Sequence, residues 1–517
     1  MNVFAFFLWY TGVSRGNFES VFQSTNMKKN IIILILSAIC AVPCGAAQDE
    51  VMTLTLQDVI RMAQESSPNA VQARNTYESA YWSYRSYRAS MLPSLSLSSS
   101  PSLNRNTRSV VLADGSEHYA RSNSLSTNLS VNLSQSIWFT GGTISLSGSV
   151  SRLDMLGDDH TKSYYTQPLQ LSFSQDLSGY NSMKWERKTE PLYYKMARKQ
   201  YAETMELVAA NAVNYFFNLA SAQTELEIAT INLAAADTMY AFGLGRYNIG
   251  TITENELLQL ELNKLNEETS IITTRMSFDD AADQLRNYLN LPSNALIEVV
   301  TSDSIPQFQV ELSKALELAY ENNPDMESMQ LSRLNSESSL AYAKSQTGLR
   351  ASVYVRLGLA QTADEFNESM KHLNDEQSVS LTLSIPILDW GRGRGRVRVA
   401  KNNLDLTNMR LEQQQLSFDR QITRAVSQFN LQQRRVDIAY RTMVTAQHRY
   451  EVARQLYMAG RSTVLDLNSA ITSKDSAYRG YVSALSTWWQ LYYTIRSMTG
   501  YDFQNNSLLE YQVENGY

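Results

Sequence analysis

The feature that most constrains the fold is a heptad seam that occurs twice, 210 residues apart. In the first copy, between residues 201 and 240, apolar or small residues recur at alternating steps of four and three. These residues are Tyr201, Met205, Val208, Ala212, Tyr215, Leu219, Ala222, Leu226, Ala229, Leu233, Ala236 and Tyr240. Ten of the twelve positions 210 residues later are again apolar or small. A seven-residue repeat of this length predicts long helices that pack with a left-handed supercoil.

Each seam runs into a short turn that contains a glycine, Gly250 or Gly460, and then into a second helical pattern. Glycine accommodates the positive φ that such a turn between two helices requires. Upstream, the stretch LTLQDVIRMAQESSPNA from residue 54 resembles VELSKALELAYENNPDM from residue 310, at an offset of 256 residues. The sequence therefore predicts two related halves, the first with an insertion of 46 residues.

Six helices follow from these patterns, two of them long. Their predicted ranges are 54–91, 183–247, 253–291, 310–347, 394–457 and 463–499. A long helix would measure about 95 Å and a short one about 57 Å, so two short helices stacked end to end match one long helix. Residues 292–309 would form a mixed belt at mid-length.

Strands are predicted where apolar residues alternate with Ser, Asn and Thr. Four such segments occur in the first half and two in the second, near residues 92–103, 125–139, 143–153, 169–177, 353–359 and 379–388. Alternation of this kind means that one face meets an apolar medium and the other meets water, as in a soluble sandwich or a membrane barrel. Aromatic residues near the strand ends favour the barrel. They are Trp138, Phe139, Tyr164, Tyr165 and Trp390.

The residues from Met27 onward have the pattern of a signal peptide. Lys28 and Lys29 precede an apolar run, and a small-residue site at residues 45–47 predicts cleavage before Gln48. The apolar run is too short to span a membrane. Both cysteines of the chain, Cys40 and Cys44, lie in this leader. Lipidation of Cys44 is an alternative that the sequence leaves open.

Composition and local motifs argue against several function classes. The formal net charge is −6, which gives no overall attraction for nucleic acid. The glycine- and arginine-rich run at residues 391–396 lacks the Lys-Ser/Thr of a phosphate-binding loop. The four histidines have no metal-ligand spacing, and no nucleophile and base can be paired. We therefore expect no enzyme activity, no metal, no cofactor and no nucleic-acid partner.

Several stretches resemble the TolC-type outer-membrane efflux proteins, and the resemblance covers nearly all of residues 54–500. They are SIPILDWGRGRGRVRVAKNNL from residue 384, its counterpart SFSQDLSGYNSMKWERK from residue 172, the strand-end stretch SQSIWFTGG from residue 134, and the two glycine turns. The resemblance implies a homotrimer in the outer membrane, with a β-barrel shared by three copies and a coiled-coil tunnel of helices in the periplasm. Each copy would contain two structural repeats, and the trimer would accept substrates from an inner-membrane transporter through a periplasmic adaptor protein.

On this pattern the chain divides into five parts. Residues 1–47 form an upstream extension and signal peptide, 48–291 the first repeat, 292–309 an equatorial connection, 310–500 the second repeat and 501–517 a C-terminal tail.

The resemblance also assigns residues at the helical tips. Family members close the periplasmic entrance with acidic and polar side chains beyond the turn glycine, and the matching residues here are Glu256 and Asp466, with Tyr457 as the aromatic that holds the closed tip. A family arginine is replaced by Ser462, with Arg461 adjacent, and a second acid is replaced by Ser469. Adaptor docking would fall on the exposed turns. These comprise Asn248, Ile249, Gly250, Thr251, Met458, Ala459, Gly460 and Arg461.

The 46-residue insertion departs from the family, whose pattern is two strands in each half. The extra pair could lengthen an existing strand pair, form an external loop or join the barrel wall, and the 15-residue alternation at residues 125–139 favours the wall. The predicted function is an efflux duct for small molecules. A duct for protein secretion and a structural coiled-coil scaffold of the envelope are the alternatives; only the scaffold needs no strands.

Overall fold

The computed structural model describes most of the chain beyond the predicted leader. The described residues are 52–111, 113–156, 160–177, 179–301 and 305–511. The predicted extension and signal peptide, with Cys40 and Cys44, lie outside them. The chain divides into one unit of residues 1–52 with 294–296 and another of residues 53–293 with 297–517. All of the helices and the large sheet described below belong to the second unit.

Helices and strands alternate in two similar successions. The elements are β1 (Met52–Thr55), α1 (Leu56–Ser66), α2 (Pro68–Ser90), β2 (Ser94–Val111), β3 (Glu117–Ile137), β4 (Gly142–Met155), β5 (Thr161–Asp176), α3 (Ser182–Asn248), α4 (Glu254–Tyr288), β6 (Ile297–Val300), α5 (Leu312–Asn322), α6 (Pro324–Ser345), β7 (Arg350–Ala363), α7 (Phe366–Ser369), β8 (Asn374–Ser384), α8 (Arg392–Met458), α9 (Val464–Thr499), β9 (Tyr501–Asp502) and β10 (Ser507–Leu508). None of the helices in the described ranges combines the length and the apolar character needed to cross a membrane.

The two long helices pack along the predicted seam. Both α3 and α8 contain 67 residues, which corresponds to about 100 Å each. All twelve seam positions of α3 are buried or half-buried, and in α8 only Gln415 of the corresponding twelve is exposed. Helix α4 packs against α3 and α9 packs against α8, and α9 also contacts α3. The four-and-three spacing therefore predicted the packing face of both helices.

Each short helix that the sequence predicted upstream of the strands is in fact two helices. The first breaks at Ser67 and the second at Asn323, and a proline begins the next helix in both cases. A residue before proline is forced out of the helical region because it would clash with the proline ring. Ser67 and Asn323 are extended, and their side chains cap the following helix, accepting hydrogen bonds from the N–H groups of Ala70 (3.2 Å) and Asp325 (2.9 Å).

One antiparallel sheet contains all six long strands, in the order β2-β3-β4-β5-β7-β8. Register shifts interrupt the ladder in only two places, between Ser147 and Ser149 of β4 and between Thr166 and Leu169 of β5. Strands β2 and β3 extend well past their predicted ends and pair as far as Val111 with Glu117. The insertion in the first half is thus a hairpin that continues the sheet.

The main core lies where the long helices meet the segment predicted as an equatorial belt. Residues 297–300 of that segment form β6, which pairs with β1. The Gln223 side chain of α3 bonds both backbone groups of Val299, at 3.3 and 3.1 Å. Phe308 contacts the rings of Phe429, Trp488 and Tyr492. The belt is therefore fastened to both long helices.

A buried polar network joins α3, α9 and the residues after α9. The Arg496 guanidinium donates two hydrogen bonds to the fully buried Glu206 carboxylate, at 2.8 and 2.9 Å, and one to Asp502 at 3.0 Å. The Tyr511 hydroxyl also donates to Glu206. Because every oxygen of Glu206 has a donor, the charge is compensated inside the protein.

We expect replacement of Arg496 by Met to lower the free energy of unfolding by about 3–5 kcal/mol, because Glu206 would keep a buried charge without its partner. The measurement is the guanidinium-induced loss of helical circular dichroism in detergent. Arg479→Met is the control, since Arg479 pairs with Glu225 at 3.5 Å on the surface and should cost about 1 kcal/mol or less. Equal losses in the two variants would contradict this role for Arg496.

Candidate functional site: two helical tips and a two-faced sheet

The turn after α3 is a short, closed connection. Helix α3 ends at Asn248, and Gly250 adopts a φ of +75°. The N–H of Gly250 donates to Tyr247 O, and the N–H of Thr251 donates to Arg246 O, both at 2.9 Å. These bonds satisfy the last carbonyls of the helix, as glycine-terminated helix ends generally do.

The turn after α8 repeats this arrangement. Helix α8 ends at Met458, and Gly460 has a φ of +71°. The N–H of Gly460 donates to Tyr457 O at 3.0 Å, and the N–H of Arg461 donates to Leu456 O at 2.9 Å. Two stretches of different sequence thus form the same turn with the same hydrogen bonds.

The two acids predicted for a gate begin the returning helices. Glu256 Oε2 accepts from the Thr253 N–H at 2.9 Å, while Thr253 Oγ1 accepts from the Glu256 N–H at 3.3 Å. Asp466 and Thr463 make the same reciprocal pair, each bond at 3.2 Å. The Thr463 hydroxyl and N–H, together with the Ser462 hydroxyl, lower the pKa of the Asp466 carboxyl. Both acids are therefore members of capping boxes.

The two tips pack against each other through Tyr457. Its side chain is 2% exposed, whereas its counterpart Tyr247 is 39% exposed. Burial raises the pKa of the Tyr457 hydroxyl; the Arg246 guanidinium of the first tip acts to lower it, and the Glu256 carboxylate acts to raise it. A Cβ at Gly460 would also lie 3.9 Å from Arg246 Nη2. Tyr457 and Glu256, which the sequence grouped as gate residues, are thus close enough to interact electrostatically.

A small apolar cluster holds these tips together. Gly243 in α3 allows Leu260 of α4 to approach, because an added Cβ would lie 2.3 Å from Leu260 Cδ1. The buried members of the cluster are Met239, Leu260, Tyr450, Tyr457, Val464, Leu467 and Ala470. The tip region therefore has its own core, separate from the main one.

The outer surface of the tips is exposed and partly apolar. Ile249 is 74% exposed, Met458 45% and Leu465 77%. The other residues predicted for docking are also exposed, namely Asn248, Gly250, Thr251, Ala459, Gly460 and Arg461. The structure brings all eight predicted docking residues to the two turns.

The sheet has two chemically different faces. One carries exposed apolar side chains such as Leu146 and Leu171, which are opposite each other in neighbouring strands. The other carries mainly serine, asparagine and glutamine, with Glu376 accepting hydrogen bonds from the Tyr165 hydroxyl (3.1 Å) and the Gln167 amide (3.0 Å). A sheet of this kind separates an apolar medium from water.

The glycine- and arginine-rich run marks the junction between β8 and α8. Gly391 has a φ of +84°, and the Asp389 carboxylate accepts from the N–H groups of Gly391 (2.9 Å) and Gly393 (2.7 Å). These backbone bonds lower the pKa of Asp389. The run therefore forms the start of a helix. Within the described ranges, no group of His, Cys, Asp and Glu side chains is arranged to hold a metal ion.

Comparison with known proteins identifies the family. The profile of the outer membrane efflux protein family matches residues 142–291 and 315–501, about two-thirds of the chain. The chain belongs to the outer membrane efflux protein family. The protein is accordingly located in the outer membrane, with its helical part in the periplasm. It functions as an efflux channel. Comparison with curated protein sequences finds no match.

Solved structures show the same fold. A crystal structure of CusC is similar with a TM-score of 0.59 and 16% identity, covering 86% of this chain and 92% of that one. A membrane protein from Pseudomonas aeruginosa (TM-score 0.63, 15% identity, 88% and 92% covered) and the CmeC outer membrane channel of Campylobacter jejuni (0.63, 15%, 88% and 87%) are also similar. These solved proteins therefore share with this chain a fold in which long helices are joined to a β-sheet.

Two features of the tips were missed by sequence analysis. The capping boxes could have been found, because Thr253 and Thr463 each stand three residues before an acid and ahead of an apolar helical pattern. The proximity of Arg246 to Gly460 in the second tip could not have been found, because the two residues are more than 200 positions apart in the sequence.

The charge of the two acids can be separated from their capping role. Glu256→Gln with Asp466→Asn removes both charges but keeps an oxygen that can accept from the threonine N–H. If the acids form a charged entrance, this variant should weaken cation preference in a planar bilayer, because carboxylate rings favour cations. Hydrogen exchange at the first turns of α4 and α9 should stay unchanged.

The matched control is Glu256→Ala with Asp466→Ala, which removes charge and cap together and should speed hydrogen exchange at both turns. Unchanged ion selectivity in the Gln/Asn variant would leave capping as the role of both acids.

Proposed function

We propose that this protein is the outer-membrane channel-tunnel of a tripartite efflux system. It passes small molecules from an inner-membrane transporter and a periplasmic adaptor protein to the exterior. Three copies assemble, each giving strands to a shared barrel and its helices to a tunnel. Within each copy, residues 48–291 and 310–500 act as two structural repeats, joined at 292–309 and followed by the tail 501–517.

The observation that carries this proposal is that one chain combines the two-faced sheet with two helical tips whose turns have the same backbone hydrogen bonds. In one chain, the described strands β2 and β8 have a neighbour on one side only. An edge strand in hydrocarbon would leave its backbone N–H and C=O groups unpaired, at a cost of several kcal/mol for each group. Pairing between strands of neighbouring copies removes such edges.

The tips support a role in docking. Each tip presents an exposed apolar residue, Ile249 or Met458, beside a tight glycine turn. Three copies with two tips each would present six similar turns at one end, suited to a ring of six adaptor hairpins. Glu256, Asp466 and Tyr457 would then line or hold the entrance just behind these turns.

The alternatives differ in what they require. A structural scaffold of the envelope needs a coiled coil but no sheet with an exposed apolar face, so the six-stranded sheet argues against it. A protein-secretion duct has the same architectural needs as an efflux channel, and cargo distinguishes the two.

Two measurements test the proposed function. The purified protein should be a trimer in mild detergent by light scattering and should conduct ions in a planar bilayer. Deleting the gene should raise intracellular accumulation of a fluorescent efflux substrate such as ethidium, and a plasmid copy should reverse this. A monomer with a folded sheet and no conductance would overturn the shared channel.

The docking surface has its own test. We expect Ile249→Ser with Met458→Ser to lower co-purification of the adaptor about ten-fold, which corresponds to about 1.4 kcal/mol. Loss of two buried apolar side chains at an interface is large enough for this effect. The change leaves both turn glycines intact, so trimer assembly and resting conductance should persist.

The control is Glu261→Gln, an exposed change on α4 two turns from the first tip, which should keep normal adaptor binding. Normal binding by the Ser/Ser variant would place docking on the helix flanks instead.

A further inference from the structure

The hairpin formed by β2 and β3 exceeds the number of strands that the family resemblance implies. The family match begins at residue 142, the first residue of β4, and leaves out the hairpin together with α1 and α2. The family resemblance leads us to expect two strands in each half, and β4, β5, β7 and β8 already supply four. Yet β2 and β3 continue the same sheet beyond β4 with an unbroken antiparallel register.

The apolar band of the hairpin lies level with that of the other strands. One row of directly opposed residues runs across five neighbouring strands and consists of leucine throughout. It comprises Leu95, Leu133, Leu146, Leu171 and Leu357. All five side chains are exposed, by 39–71%. Because the row crosses from the extra hairpin to the others without a step, all of these strands meet the same apolar layer.

Over residues 94–102 and 124–136, the opposite face of the hairpin is neutral and polar. At the inward positions 94–102 of β2 and 124–136 of β3, every residue is serine or asparagine. Ser94 bonds Ser134 at 2.8 Å, and Ser98 bonds Ser130 at 2.7 Å. These short side chains suit a water-filled lumen and add no charge to it.

The base of the hairpin is fixed to the helices. The Gln135 amide donates to Met91 O, just after α2, and the Asn181 amide at the start of α3 donates to Trp138 O, both at 2.9 Å. The Arg187 guanidinium lies 3.9 Å from the centre of the Trp138 ring. The end of the hairpin nearest the helices is therefore attached to α2 and α3. A loop outside the membrane would not need these contacts.

We propose that all six strands of each copy enter the membrane wall, so that the channel has eighteen strands and β2 closes on β8 of the next copy. This rests on the proposed trimer. With strands about 4.8 Å apart and tilted by about 40°, eighteen strands give a backbone diameter of about 36 Å, against about 24 Å for twelve. The outer-membrane wall is then wider, the inward positions 94–102 and 124–136 add no charge to its lumen, and cargo size is limited at the periplasmic tips.

Pairs of introduced cysteines identify the strand that borders β8 of the neighbouring copy. Cys40 and Cys44 belong to the predicted leader, so the mature chain should have no competing thiol. Ser380→Cys on the polar face of β8 is combined in turn with Ser96→Cys, Ser98→Cys or Ser100→Cys on β2. Three successive inward positions allow for the unknown register at the seam. Cross-linking uses a short bis-maleimide in outer membranes.

The matched set combines Ser380→Cys with Ser145→Cys, Ser147→Cys or Ser149→Cys on β4, the strand that would border β8 of the next copy in a twelve-stranded wall. The expected result is covalent dimers and trimers from at least one β2 pair and from none of the β4 pairs. Cross-links from the β4 set alone would overturn the eighteen-stranded wall and leave the trimer standing. Cross-links from neither set would overturn the trimer and, with it, this proposal.

A second measurement is independent of the substitutions. A cryo-electron microscopy map of the unmodified protein in detergent should show eighteen strands in the wall, and twelve would refute the inference.

Discussion

In a membrane every backbone N–H and C=O group of a sheet must be paired, and this requirement governs the rest of the molecule. A single chain has one sheet with β2 and β8 at its edges. In the proposed assembly, strands of further copies supply the missing partners. The strands are joined directly to α2, α3, α6 and α8, so closing the sheet in this way would also arrange the helices around one axis. The proposed oligomer and tunnel thus follow from one requirement.

The two long helices are equal in length and pack in a similar way. The 67-residue helices α3 and α8 use the same heptad seam, and each returns through a glycine turn and a capping box. The tips nevertheless differ, because Tyr457 is buried in the apolar cluster of the tips while Tyr247 remains exposed. Two similar hairpins therefore occupy different environments. The buried ion pair between Arg496 of α9 and Glu206 of α3 also joins the two hairpins.

Much of this fold could be predicted from the sequence, because its signals are periodic. The four-and-three spacing gave the long helices to within two residues of each end, and alternation located all six strands. The helix breaks at Ser67 and Asn323 were also within reach, since each precedes a proline. The outer ends of β2 and β3 could not be predicted. Polar residues occur there on both faces, so apolar and polar residues do not alternate, although the two backbones still pair. The environment of Tyr457 depends on a distant segment, which local patterns do not record. What the tips bind and whether their acids gate the channel remain predictions.

The extra hairpin shows how such a wall can change size. The number of strands between α2 and α3 must be even, as it is here with β2 to β5, if the chain is to return to the helical side of the membrane. The smallest insertion is therefore two strands, and three-fold symmetry turns two into six. In the proposed wall, the diameter can therefore change only in steps of one hairpin per copy, and the step from twelve to eighteen strands raises the area enclosed by the backbone about two-fold.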